Sequence, residues 1–136
     1  MIYEFTIDGP IKGKGRPRVN MATGSVYTPT DTKDYEMLIK QYFMIKYPRH
    51  EVFTNRVKIE IKAYFEIPKS TSNKLKEKML SGEVSPTKKP DIDNITKIIL
   101  DALNKVIFKD DNQVTKIEVE KLYSERPRLE VKIEEY

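Results

Sequence analysis

Three aspartates are the residues best suited to chemistry: Asp91 and Asp93, two residues apart, and Asp111, which follows Asp110. Two neighbouring carboxylates repel each other, and a divalent cation is the usual remedy. With a third carboxylate, water and a phosphate oxygen, they would make an all-oxygen shell suited to Mg²⁺, with Mn²⁺ as a substitute. Lys97 follows Asp93 by four residues, one helical turn, where an ammonium could stabilise charge building on a phosphate. Each piece also has a plainer reading. Asp93 can be a helix N-cap, with Asp91 a favourable charge near the positive helix end. Lys97 can form an i,i+4 ion pair with Asp93 or Asp101. Asp110-Asp111-Asn112 can be a solvated turn.

The element that must position these residues is a helix: Ile95, Ile98, Ile99, Ala102, Leu103 and Val106 recur at helical spacing and predict one from the Asp91-Ile92-Asp93 motif onward. At about 100° per residue, Asp93, Lys97 and Asp101 lie within roughly 80° of one another, opposite that apolar stripe. Leu100 also projects on this outer side, where a partner subunit would cover it. A helix ending near Asn104 would leave its end about 17 Å from Asp93. Asp111 can return across that distance if Val106-Ile107-Phe108 runs back extended, since six or seven extended residues span about 20 Å.

The remaining chain reads as a strand over Ile2–Ile7, a small hairpin ending near Tyr27, and a helix from Thr30 or Asp31 to Lys46. Alternating Val57, Ile59, Ile61, Ala63, Phe65 and Ile67 predict a half-buried strand. A short helix is expected within Ser70–Leu80, and two strands, Val114–Tyr123 and Arg128–Ile133, are expected to close the chain as a β-hairpin. The fold class is therefore α+β (mixed α/β): a single small domain over residues 1–136, with a mixed β-sheet packed by two main helices and a C-terminal β-hairpin.

The 136 residues contain no cysteine, which excludes a disulfide scaffold, a zinc-thiolate site and a thiol nucleophile. No apolar run is long enough to cross a bilayer and no signal peptide is visible, so a soluble cytoplasmic protein without a membrane partner is expected. The net charge of +4 is unevenly spread: residues 1–28 carry +2, residues 68–90 carry +4, and residues 110–136 carry −3. Lys12, Lys14, Arg16 and Arg18 alternate with residues that leave the backbone free, and Lys88 and Lys89 precede the acids. These six cations are the candidate DNA contacts, meeting phosphates and supplying salt-dependent affinity. His50, the single histidine, is read as a structural loop residue.

In order, Asp91-Ile-Asp93-Asn94, Lys97, Asp101-Ala-Leu103 and Asp110-Asp111-x-Gln113-Val114 resemble the RusA-type Holliday junction resolvases of bacteria and prophages. Lys14-Gly-Arg16-Pro-Arg18 and Tyr27-Thr-Pro29 resemble the N-terminal pattern of the phage-type branch. The resemblance implies a structure-specific, Mg²⁺-dependent endodeoxyribonuclease that cuts opposed strands of four-way DNA junctions in recombination and repair. It implies a mixed α/β fold, a homodimer, no organic cofactor, a metal-binding trio of Asp91, Asp93 and Asp111, and Lys97 as catalytic lysine. Lys88-Lys89-Pro90 stands where the best-known member has arginines, and lysine lacks their forked contacts. The alternatives are a non-catalytic DNA-binding module and a metal-dependent nuclease for flaps or RNA.

Overall fold

A computed structural model describes residues 1–13, 18–19, 21–24, 26–27 and 30–136. Its order of elements is β1 (Ile2–Asp8), β2 (Arg18–Val19), β3 (Val26–Tyr27), α1 (Thr30–Lys46), β4 (Val57–Glu66), α2 (Asn73–Leu80), α3 (Ile92–Leu103), β5 (Val114–Ser124) and β6 (Arg128–Glu135), with a 3-10 turn at Asp111–Gln113. The period-two pattern of β4 is realised residue by residue: Val57, Ile59, Ile61, Ala63 and Phe65 are buried, while Glu60, Lys62 and Glu66 are exposed.

The main sheet has the order β1-β6-β4-β5, and β2 and β3 form a separate small pair. Strand β4 runs antiparallel to β6 and parallel to β5, so the sheet is mixed. Both C-terminal strands exist where they are expected, but they are not hydrogen-bonded to each other as a hairpin, because β4 lies between them. A short turn, Glu125 to Pro127, made adjacency the local expectation. The buried face of β4 accounts for the outcome: Val57, Ile59, Ile61 and Ala63 are at most 1% exposed, and a central position satisfies both backbone edges of that strand.

One face of the sheet carries the core. Tyr3, Phe5 and Ile7 of β1 and Leu129, Val131 and Ile133 of β6 join the buried face of β4. Tyr35, Ile39 and Phe43, spaced by four on α1, and Ile95, Ile98, Ile99, Ala102 and Leu103 on α3 pack over it. The two main helices also contact each other, and α2 rests near β5. The opposite sheet face is charged and carries ion pairs Lys58–Glu134 (3.3 Å) and Lys132–Glu4 (3.9 Å). Such exposed pairs contribute little, so the fold rests on the apolar face that immobilises α3.

Candidate active site

Helix α3 begins two residues earlier than the capping reading of Asp93 requires. Asp91 is the N-cap: its backbone is extended, and its Oδ1 accepts the Asn94 N–H at 2.9 Å. Ile92 already has helical conformation, and the Ile95 N–H donates to the Asp91 carbonyl at 3.1 Å. Asp93 therefore sits inside the first turn, where its charge faces the positive end of the helix. Asp91, Asp93 and Lys97 are all exposed, and Lys97 forms no salt bridge with Asp93 among the described residues. Lys88 and Lys89 are exposed just before the motif, and the Lys121 ammonium of β5 donates to the Lys88 carbonyl at 2.7 Å.

The other end of α3 does not return as an extended strand. Asn104 caps it, Lys105 takes a positive φ of 64°, and the N–H groups of Val106 and Ile107 both donate to the Leu103 carbonyl. The Lys105 N–H then closes the turn on Phe108 at 2.8 Å. Ile107 and Phe108 are fully buried, and the Ile107 carbonyl accepts the Phe53 N–H. Those apolar β-formers read locally as a strand, but their contacts are with Phe53 and the core. His50 supports the same turn, its Nε2 lying 2.6 Å from the Val106 carbonyl oxygen, in keeping with a structural role.

Asp110 and Asp111 follow this turn and are exposed. The Asn112 N–H, donating to Asp110 at 3.1 Å, holds the Asp110 carboxyl below the usual carboxylate range, and a hydrogen bond shared with Asp111 adds to this. Asp111 is pushed upward, first by that shared bond, then by burial and by the charges of Asp110 and Asp101. Asp110 is thus the first of the pair to ionise, and Asp111 holds its proton longer.

Gln113 is the positioning residue to which residue types alone assign no role. Its Oε1 accepts the N–H groups of Lys109 (2.9 Å) and Asp110 (3.2 Å). Its Nε2 donates to the carbonyls of Phe53 (3.0 Å) and Asn55 (2.9 Å), tying the acidic turn to the segment before β4. Its place in the Asp110-Asp111-x-Gln113 pattern was the available signal.

Of the six candidate DNA contacts, Lys12, Lys88 and Lys89 are exposed. Lys14 and Arg16 lie outside the described residues; the backbone of Arg18 pairs with Tyr27 in the small β2-β3 ladder, and its side chain lies outside the description. Leu100 is partly buried and packs against the core of its own chain, so its apolar side is not left wholly to a partner. Ile92 on α3 and Ile117 on β5 remain 46% and 37% exposed.

The family model for endodeoxyribonuclease RusA matches residues 8–134, spanning both acidic segments and the helix between them. The chain belongs to the RusA endodeoxyribonuclease family. It is also 42% identical over 137 aligned residues to the uncharacterized protein YqaN of Bacillus subtilis (strain 168), covering 97% of this chain and 95% of that protein. As in the rest of the RusA family, the relevant chemistry is hydrolysis of a DNA phosphodiester.

The residues offer hard oxygen donors of the type a divalent cation takes, but not a preformed cage. Among the described residues, no three His, Cys, Asp or Glu side chains are gathered to hold one metal ion. Asp91 and Asp93 occupy the start of α3, Asp91 with one oxygen already committed to capping, while Asp111 is paired to Asp110. What the RusA-family chain does provide is an exposed carboxylate pair at a positive helix end, an ammonium one turn on, and two lysines immediately before. Such cations reduce the repulsion between carboxylates and a DNA backbone.

Proposed function

We propose that this protein is a Holliday junction resolvase that hydrolyses phosphodiesters in opposed strands of four-way DNA junctions, acting as a cytoplasmic homodimer in recombination and repair. The observation that carries the reading is the exposed Asp91-Ile92-Asp93 start of α3, preceded by Lys88-Lys89 and followed by Lys97, in a chain matched by the RusA family over residues 8–134. In this reading Lys12, Lys14, Arg16, Arg18, Lys88 and Lys89 hold phosphates, and Lys97 stabilises charge on the phosphate under attack. Asp91, Asp93 and Asp111 are the proposed catalytic acids and metal ligands. Mg²⁺, replaceable by Mn²⁺, is the proposed ion because exposed carboxylates suit a hard divalent cation. A homodimer presents two copies of the site, matching the two-fold character of a junction, and the exposed parts of Ile92 and Ile117 with Leu100 support a contact on that side.

The test compares wild type with Asp93→Asn on a labelled four-way junction with Mg²⁺, alongside flap and RNA substrates. Paired nicks by wild type, at least 100-fold slower in the variant, are expected. Cutting that persists in Asp93→Asn would remove Asp93 from the site. Preferential flap or RNA cleavage would reassign the substrate, and binding without cutting by both proteins would favour a DNA-binding module. Sedimentation with and without DNA reads the dimer, and Mn²⁺ titration of both proteins reads the metal.

A further inference from the structure

Residues 11–13 cross the start of α3, and they are fitted there by the absence of a side chain. A Cβ built on Gly13 would stand 2.8 Å from the Cβ of Asn94, 2.8 Å from the Cβ of Pro90 and 3.4 Å from the Asn94 carbonyl carbon. Real Cβ atoms essentially never approach within 3.0 Å, and both obstructing atoms are fixed directly to the backbone. Gly13 does not have a positive φ, so space, and not backbone conformation, requires glycine at this position. Pro90 and Asn94 are the residues that bracket Asp91-Ile92-Asp93.

The same short segment is held from its other side. Ile11 is partly buried against the core. The Lys12 backbone lies near the phenol of Tyr35 on α1, which is 5% exposed and whose pKa burial pushes up to about 12. Ile11, Lys12 and Gly13 thus bridge α1 and the first turn of α3, and the alternating cations begin at Lys12.

We infer that Gly13 is a positioning residue: its bare Cα seats the backbone that carries Lys12 directly on the helix turn carrying Asp91 and Asp93, fixing this phosphate-binding cation relative to the cutting acids. This rests on the nuclease reading above. The cations would still attract DNA without the seat, but a phosphate would not be held in register with the acids.

Gly13→Ala tests it, with thermal melting, junction affinity by fluorescence anisotropy in EDTA, and single-turnover cleavage at saturating protein. Expected are a folded variant, affinity within threefold of wild type, and a cleavage rate at least tenfold lower. Ile11→Ala, which loosens the segment without adding atoms, should show the same split and serves if Gly13→Ala does not fold. An unchanged cleavage rate in both variants, or equal losses of affinity and rate, would each overturn the inference. A wild type that binds junctions but never cuts them overturns the nuclease reading and this role with it, whereas a cutting wild type with unimpaired variants overturns this role alone.

Discussion

Gln113→Ala removes an amide whose four hydrogen bonds join the acidic turn to the segment before β4, all four partners being backbone groups. A typical intramolecular hydrogen bond contributes about 1 kcal/mol net. Water can replace part of what is removed at this half-exposed position, so the expected cost is about 2–3 kcal/mol. For a chain of this length about 4 °C accompanies each kcal/mol, giving a fall in melting temperature of about 8–12 °C. Gln113→Glu sharpens the test. Its second oxygen would face the carbonyls of Phe53 and Asn55, placing acceptor against acceptor where a donor now stands. At pH 7 it should therefore be less stable than Gln113→Ala, and because the facing carbonyls raise the new carboxyl's pKa in the folded state, the gap should narrow as pH falls toward the ordinary value of about 4.3. Circular dichroism melts measure this, and hydrogen exchange should show earlier loss of protection at the Lys109 and Asp110 amides in Gln113→Ala. A Gln113→Ala melt within about 2 °C of wild type, or a Gln113→Glu protein as stable as Gln113→Ala at pH 7, would refute the assignment of Gln113 as the tie.

Three further outcomes are expected. Asp111→Asn in metal-free buffer should raise the melting temperature at pH 7. The folded state holds the Asp111 proton more tightly than the unfolded chain, so ionising Asp111 opposes folding above its raised pKa, and the gain should vanish as pH falls below the ordinary 3.8; a gain that persists at pH 3 would contradict the pairing with Asp110. Ile99→Ala, at a position 0% exposed under α3, should cost about 2–5 kcal/mol in denaturant melts, and a cost under about 1 kcal/mol would mean that α3 is not clamped as described. Replacing Lys88 and Lys89 together by Ala should flatten the dependence of log affinity on log salt by about one unit for each phosphate that these lysines neutralise; an unchanged slope would take both out of the DNA interface.

What could be read in the chain is what depends on period. The stripe from Ile95 to Leu103 and the alternation from Val57 to Phe65 each face a single buried surface, and both elements formed where expected. What could not be read depends on neighbours distant in sequence. A β-period tells which face of β4 is buried but not that β5 and β6 lie on its two edges. The cap fell to Asp91 because Ile92 is helical, a backbone state that two aspartates two residues apart do not distinguish. Val106-Ile107-Phe108 has strand composition, yet its last two residues are claimed by the core after a turn at Lys105. The candidate acids and Lys97 were legible from type and spacing. Gln113 and Gly13 were not, since their roles are contacts with residues 53, 55, 90 and 94.

The two kinds of anchoring in the molecule are divided in a way that bears on DNA cleavage. The ion pairs Lys58–Glu134, Arg128–Glu130 and Lys132–Glu4 lie among the strands of the main sheet, and Lys76–Glu125 joins α2 to the turn after β5. The segments around the acids are held on backbone groups and by steric fit: a Gln113 amide on four backbone groups, a His50 ring on the Val106 carbonyl, a Lys121 ammonium on the Lys88 carbonyl, and a bare Gly13 Cα against Pro90 and Asn94. Salt bridges in those places would have consumed charge. An ammonium already paired with a carboxylate gains less from a phosphate, because the first partner must be given up. These anchors fix the backbone and leave Asp93, Lys97 and Lys89 outside any ion pair among the described residues. They also decouple the two responses to salt: screening weakens attraction between these side chains and DNA, while hydrogen bonds to backbone and steric fit are nearly indifferent to it. A site built this way loses affinity for DNA at high ionic strength without losing its shape.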